Sequence, residues 1–230
     1  MPAPLTYDWL LFDADNTLWD FSAAEADALE RTLRNRDIAW SAEVLAEYRL
    51  INHRAWSDYE AGRLPKAQLR TIRFKRLLDH YRLDHPAEAL SLDYRTYLAG
   101  STHMLPGATE LLDRVRGRYR LGLITNGLQE VQRPRLAATG LGDYFEFVVI
   151  SDEIGVAKPH AVFFDYAYAR MDGADKRRTL VIGDNPNADV RGALDYGFDA
   201  CWLRHPGAPD RKPFGETFRI RDIRELGALL

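Results

Sequence analysis

The chain holds a single cysteine, Cys201, among its 230 residues, so it forms no internal disulfide and builds no thiolate zinc or iron–sulfur centre from one copy. A reducing compartment is the expected setting. Basic residues are not in excess either: 31 Lys and Arg stand against 34 Asp and Glu, a net charge of -3. That balance argues against a surface built to neutralise a phosphate backbone, and so against a nucleic-acid polymer as partner. No apolar run approaches the roughly 20 residues a membrane-spanning helix needs, and no membrane partner is expected. Met1 to Leu18 has no Lys or Arg and carries Asp8, Asp13 and Asp15, which is unlike a signal peptide. Cytoplasmic residence is therefore expected. What is present, 46% hydrophobic and 28% charged residues, is the composition of a folded globular chain. At this length it is expected to bury roughly 70–75% of the surface its unfolded form exposes, enough for a core without staples.

Five short apolar runs rich in branched and aromatic residues read as strands buried on both faces: Trp9 to Phe12, Leu121 to Ile124, Phe147 to Ile150, Leu180 to Ile182 and Ala200 to Leu203. Helical periodicity over Gln129 to Thr139, Val162 to Met171 and Ala188 to Tyr196 alternates with them, which predicts a parallel sheet in an α/β, Rossmann-like core. Residues 19–100 differ. Leu45, Tyr48, Ile51 and Ala55, then Leu69, Ile72 and Leu77, recur at helical spacing with no strand between them. The expected organisation is thus a core of residues 1–18 and 101–230 with a helical insert at 19–100. Leu105-Pro106-Gly107 marks the return, starting a helix over Ala108 to Val115. A short strand and helix are expected after a surface loop spanning His205 to Gly215.

Charge in the insert is balanced, 13 acidic against 13 basic residues over positions 20–100. Its local cluster, Arg63, Lys66, Arg70, Arg73, Lys75 and Arg76, reads as a solvated helix face, with attraction of an anionic substrate as the alternative. The sequence carries no signal for an oligomeric state.

In an open parallel sheet, ligands sit beyond the carboxyl ends of the strands, so the polar residues that follow each apolar run are the candidates for chemistry. After the first strand come Asp13, Ala14, Asp15 and Thr17. Two carboxylates so spaced can divide nucleophilic attack and proton transfer, or can simply cap a turn. After the second, Thr125-Asn126-Gly127 offers a hydroxyl, an amide and a relaxed backbone, suited to a phosphate oxygen or to capping a helix. Lys158, before Pro159, can neutralise an anion. After the fourth, Asp184 and Asp189 bracket the start of a helix, and with the first pair they supply the oxygen-only donor set that suits Mg²⁺.

These residues, Asp13-Ala14-Asp15-Asn16-Thr17, Ile124-Thr125-Asn126-Gly127, Ala157-Lys158-Pro159 and Gly183-Asp184 with Asp189, make the chain resemble the haloacid dehalogenase superfamily of aspartate-nucleophile phosphohydrolases. The resemblance spans essentially the whole chain, and the insert is similar to a C1-type cap. Val149 to Pro159 and Cys201-Trp202-Leu203 resemble, within it, the bacterial house-cleaning pyrimidine 5′-nucleotidases. The resemblance implies Asp13 as nucleophile and Asp15 as acid and base. It implies that Ala14, Asp15, Thr125, Asn126 and Lys158 contact the phosphate, with Thr125 and Lys158 aiding catalysis. Mg²⁺ would be held by Asp13, the Asp15 carbonyl and Asp184, with Asp189 as ligand or support. The implied substrate is a small phosphorylated metabolite, a nucleoside 5′-monophosphate first, with a sugar phosphate, phosphoglycolate or a phosphomutase reaction as alternatives. Asn16 departs from the Gly or Glu common there. Asp15 argues against dehalogenation, whose halide leaving group needs no acid, and the complete motif set argues against a non-catalytic binding protein.

Trp19, Trp40, Trp56, Tyr59, Phe74, Tyr94 and Tyr97 are candidates to stack on a base, most of them expected to be packing residues. His53, His80, His85, His103, His160 and His205 lack metal-type spacing and read as surface or loop residues, with His53 a minor substrate-contact candidate. Cys201 reads as a small buried hydrophobe.

Overall fold

In the computed structural model, residues 6–206 and 214–230 are described. The middle of the loop expected over His205 to Gly215 lies outside them. The described residues divide into two compact units. One contains the residues up to Phe21, His103–Gln129 and Thr139–Leu230. The other contains Ser22–Thr102 and Glu130–Ala138.

The first unit is an α/β core on a six-stranded, wholly parallel sheet: β1 (Trp9–Phe12), β2 (Arg120–Thr125), β3 (Phe147–Ile150), β4 (Thr179–Gly183), β5 (Asp199–Leu203) and β6 (Phe218–Ile220). Their spatial order is β3-β2-β1-β4-β5-β6. The chain therefore builds outward from β1 in one direction through β2 and β3, and in the other through β4 to β6. That reversal leaves a crevice between β1 and β4 at their carboxyl ends, where such sheets bind ligands. Register brings the two strand ends level, since Phe12 pairs with Ile182.

Strand residues alternate between two buried faces, which is why the central strands are apolar over most of their length. Trp9, Leu11, Ile124, Val149, Val181 and Trp202 share a core cluster with Phe163, Phe164, Val190 and Ala193. Phe163 and Phe164 come from helix α8 (Ala161–Tyr168), the shorter form of the helix expected over Val162 to Met171. Leu10, Phe12, Leu121 and Leu123 point to the opposite face and are equally buried. Gly122 is required between them, because a Cβ there would collide with Phe147 and Leu11. The chain leaves the core and returns side by side: Leu105 donates its N–H to the Leu18 carbonyl at 2.9 Å, and Asp20 to that of His103 at 3.0 Å. It then enters α5 (Ala108–Val115), whose Leu111, Leu112 and Val115 are buried.

The second unit carries α1 (Phe21–Arg34, from Ser22 onward), α2 (Ala42–Glu60), α3 (Lys66–Tyr81), α4 (Ala87–Ala99) and, over Glu130–Ala138, α6 (Gln129–Thr139). Ser41 starts α2 by accepting the Val44 N–H, while Pro65 and Pro86 precede α3 and α4, where a missing N–H costs nothing. Tyr48, Phe74 and Tyr94 form an aromatic triangle with ring centroids 5.3–5.5 Å apart. Phe74 and Tyr94 are thus fully buried core, as is Trp19 in the first unit, and none of the three is open to stack on a base.

The basic cluster is not one solvated face. Arg73 is only 2% exposed, donating to the Leu69 carbonyl at 3.0 Å and to Asn52 Oδ1 at 2.9 Å. Asn52 in turn donates to the buried Glu25 at 2.9 Å, so a neutral amide links two buried charges of opposite sign. Arg70 grips Glu130 at 2.6 Å, Lys66 sits 4.6 Å over the Tyr59 ring, and Arg63 binds Asp58 at 2.9 Å. For Arg70 and Arg73, partners distant in sequence decide where the cation points. No helix of the described residues is long and apolar enough to cross a membrane.

Candidate active site

The β1–β4 pairing runs on one residue past the strand, with Asp13 N–H donating to the Ile182 carbonyl at 2.8 Å. This fixes the backbone of a residue that is itself buried. The chain then turns sharply. Ala14, wholly buried, accepts the N–H groups of Leu18 at 2.9 Å and Trp19 at 3.1 Å through its carbonyl, and Asn16 takes a left-handed conformation at φ 58°. Asn tolerates that region better than most residues, which gives the Asn16 departure a backbone role. Asp15 lies half-buried in this turn. Thr17 donates its hydroxyl to Asp13 Oδ2 at 3.2 Å.

Lys158 follows β3 and the short helix α7 (Ser151–Ile154). Its ammonium is 1% exposed and donates to Asp13 Oδ1 at 2.7 Å, Asp189 Oδ1 at 2.6 Å and the Ile124 carbonyl at 2.8 Å. Burial alone would favour the neutral amine, yet the two adjacent carboxylates outweigh it and raise the pKa above the ordinary lysine value. The group is a permanent cation.

Asp184 and Asp189 follow β4. The helix expected over Ala188 to Tyr196 begins earlier, with a π-helical turn over Pro186–Arg191 that passes into α9 (Gly192–Tyr196). Asn185 caps it, its side chain accepting from the N–H groups of Asn187 and Ala188 at 3.0 Å each. The wide turn folds Asp189 back beneath the strand end, where its Oδ2 accepts the Asn185 N–H at 3.0 Å. Gly183 makes room for that carboxylate, since a Cβ there would overlap it. Trp202 of β5 donates its indole N–H to the Asp184 carbonyl at 3.0 Å and steadies the loop from the other side.

Carboxylate oxygens of Asp13, Asp184 and Asp189 lie within 4.8 Å of one another. With one ammonium among three carboxyl groups, negative charge is in excess whenever all three are ionised, and burial together with Asp13 accordingly pushes Asp184 well above the usual carboxylate range and Asp189 up to about 7. Such crowding is relieved by a small hard dication, and oxygen-only donors are what Mg²⁺ takes. The residues present therefore fit Mg²⁺.

At the end of β2, Thr125 is 1% exposed and its Oγ1 accepts the Gly127 N–H at 3.0 Å, which leaves its own hydrogen available to an anion. The Asn126 side chain is turned to the Lys158 backbone, accepting its N–H at 2.8 Å and donating to its carbonyl at 3.0 Å. Asp13, Asp189 and Lys158 thus meet directly, with Asp184 beside them and Asp15, Thr125 and Asn126 on the adjoining turns.

Two contributors escape sequence reasoning. His205 Nε2 lies 2.5 Å from the Asn16 carbonyl, so its ring holds the turn that carries Asp15. Ser151 donates to the Asn126 carbonyl at 3.0 Å. Neither shows a local pattern; the available signal was position, since each directly follows or nearly follows a strand end. Cys201 is a buried hydrophobe, its thiol pushed up to about 12 by burial.

The fold, the reversal point and the carboxylate–lysine cluster define a hydrolase with an aspartate at the end of its first strand. The model of the haloacid dehalogenase-like hydrolases matches residues 7–197, and the chain belongs to that family. It is 34% identical to the pyrimidine 5′-nucleotidase YjjG of Escherichia coli (strain K12), over 98% of this chain and 99% of that protein. It is 38% identical to the pyrimidine 5′-nucleotidase PynA of Streptococcus pneumoniae (strain ATCC BAA-255 / R6), over 96% and 93%. The crystal structure of the HAD-hydrolase YfnB from Bacillus subtilis bound to magnesium superimposes with a TM-score of 0.91 at 32% identity, covering 98% of this chain and 99% of that one.

Proposed function

We propose that the protein is a Mg²⁺-dependent phosphatase that hydrolyses nucleoside 5′-monophosphates, pyrimidine nucleotides foremost, through an aspartyl-phosphate on Asp13. The carrying observation is the Lys158 ammonium shared between Asp13 and Asp189 at the sheet's reversal point. A carboxylate attacks a phosphate monoester only where the negative charge of both is offset. Lys158 supplies one fixed positive charge from within the protein. Asp13, Asp184 and the Asp15 carbonyl would hold Mg²⁺, with Asp189 as ligand or support, and the bound ion would supply the remaining charge compensation.

In the first step an Asp13 oxygen attacks phosphorus while the bond to the nucleoside oxygen breaks, and Asp15 gives that oxygen its proton. In the second, water attacks phosphorus, Asp15 takes the proton back, and the bond from phosphorus to Asp13 breaks. Thr125 donates its hydroxyl hydrogen to a phosphoryl oxygen. The pyrimidine nucleotidase relatives support the choice of substrate, whereas the site itself recognises only the phosphate.

The test is phosphate release from a panel of pyrimidine and purine 5′-monophosphates, sugar phosphates and phosphoglycolate, with Mg²⁺ and with EDTA. Metal-dependent release concentrated on UMP, dUMP or TMP is expected. Turnover confined to sugar phosphates or phosphoglycolate would remove the nucleotidase assignment and keep the reaction, and no release from any monophosphate would remove both.

A further inference from the structure

Asn126 stands one residue beyond β2, where an amide side chain would ordinarily be counted among the groups that meet the phosphate. Both of its polar atoms instead engage one residue 32 positions away. Oδ1 accepts the Lys158 N–H at 2.8 Å and Nδ2 donates to the Lys158 carbonyl at 3.0 Å. The two bonds fix the amide's orientation, because turning it over would oppose donor to donor and acceptor to acceptor. They also fix the backbone on both sides of the Lys158 Cα. The Asn126 carbonyl accepts the Ser151 hydroxyl at 3.0 Å, which ties the same residue to the start of α7.

The far end of the Lys158 side chain is held by the same stretch of chain, for Nζ donates to the Ile124 carbonyl at 2.8 Å. Lysine has a long, flexible stem whose ordering costs rotamer freedom. Here its root is clamped by Asn126 and its tip by Ile124, two residues apart on one strand end. Thr125, the residue between them, offers the hydroxyl hydrogen. The cation and the hydroxyl are thereby held in register by three consecutive residues.

We propose that the Asn126 side chain is a positioning residue for Lys158, acting on the phosphate only through the lysine. The inference rests on the reading of Lys158 as the cation that meets the phosphoryl group. Asp at this position would keep the acceptor for the Lys158 N–H but lose the donor and set a carboxylate oxygen against the Lys158 carbonyl. Ala would lose both bonds.

A double-mutant cycle tests this, read as the dissociation constant of inorganic phosphate in the presence of Mg²⁺ by calorimetry. It uses the wild type, Asn126→Ala, Lys158→Met and the double variant, with thermal melts to establish that each is folded. Asn126→Ala is expected to weaken phosphate binding about 10-fold, the worth of one to two hydrogen bonds. In the Lys158→Met background the same change should cost less than about 2-fold, because the residue it acts through is gone. Equal losses in both backgrounds would overturn the proposal in favour of a direct contact, and no loss in the wild-type background would show the clamp to be idle. If Asn126→Ala fails to fold, Asn126→Ser, which shortens the side chain without adding charge, takes its place with the same expected coupling. Should Lys158→Met bind phosphate as tightly as the wild type, the reading of Lys158 itself falls, and the clamp's role with it. That result is distinct from additivity, which removes the clamp alone.

Discussion

The two ends of one parallel sheet are built from the same strands and carry charge in opposite ways. Beyond the amino ends lies a depression of about 1050 Å³, bordered by Asp8, Arg120, Tyr144, Glu146 and Arg178 among others. Its charges are paired at the surface: Arg120 with Glu146 at 2.6 Å and Arg178 with Asp8 at 2.5 Å, every one of these side chains more than 40% exposed. At the carboxyl ends Lys158, Asp13 and Asp189 are 1%, 11% and 2% exposed, with acid in excess. Charge arrangement, not the presence of a depression, marks the second end as the place for chemistry. Charges that water already solvates have little free energy left to give to a ligand, whereas buried and unbalanced ones do.

The contrast is broken most severely at the buried end. Asp13→Asn should reduce phosphate release by at least about 10⁴-fold while leaving the fold intact, as loss of a nucleophile does. Residual turnover within about 10-fold of wild type, in a discontinuous phosphate assay, would place the nucleophile elsewhere. Next comes Gly183→Ala, remote from any substrate contact proposed here. Its methyl would displace the Asp189 carboxylate. A shift approaching 1 Å should lower kcat about 100-fold with KM little changed, and steady-state kinetics beside a melting curve would separate this from unfolding.

A smaller effect is expected in the helical unit, where the balance is reversed and two guanidiniums share one carboxylate. Arg70 and Arg95 hold Glu130 at 2.6 and 2.7 Å. Burial alone would raise its pKa, but the two arginines overcome this and lower it to about 2. A folded value below the unfolded one stabilises the protein above about pH 4.3, and the benefit disappears as pH falls toward 2. Denaturant midpoints should thus show Glu130→Gln less stable than wild type at pH 6, with the gap narrowing by pH 3; a gap independent of pH would contradict the assignment. The smallest effect belongs to the amino end. Arg120→Ala should change stability by less than about 1 kcal/mol and activity not at all, because an exposed pair contributes little. A marked loss of turnover there would give the large depression a function.

What the sequence makes legible follows from how local each signal is. Strands buried on both faces announce themselves as short apolar runs, and the rule that ligands gather at carboxyl ends makes Asp13, Thr125 and Asp184 candidates, whereas Lys158, beyond α7, is singled out by the family resemblance. Helix Ala108–Val115 is readable because Pro106-Gly107 precedes it and its apolar residues keep one period. The π-helical turn at Pro186–Arg191 is not, since a wide turn shares its residue types with an α-helical one and is set by Asn185 and the packing beneath β4. Arg73 reads as surface charge because its partner Asn52 lies a helix away. Glu130–Ala138 falls in the helical unit, where Glu130 meets Arg70 and Arg95, both distant in the chain, so no local pattern announces it. His205 is invisible for the same reason, 189 residues from the carbonyl it holds.

In the proposed mechanism Asp13 attacks and Asp15 moves the proton, and a substrate whose leaving group needs no proton separates the two roles. With p-nitrophenyl phosphate and Mg²⁺, Asp15→Asn should still form the aspartyl-phosphate but hydrolyse it slowly, which gives a burst of nitrophenolate near one equivalent per site followed by a stall. Asp13→Asn should give no burst. A burst from Asp13→Asn, or steady turnover without a burst in an Asp15→Asn enzyme as fast as the wild type, would contradict the account.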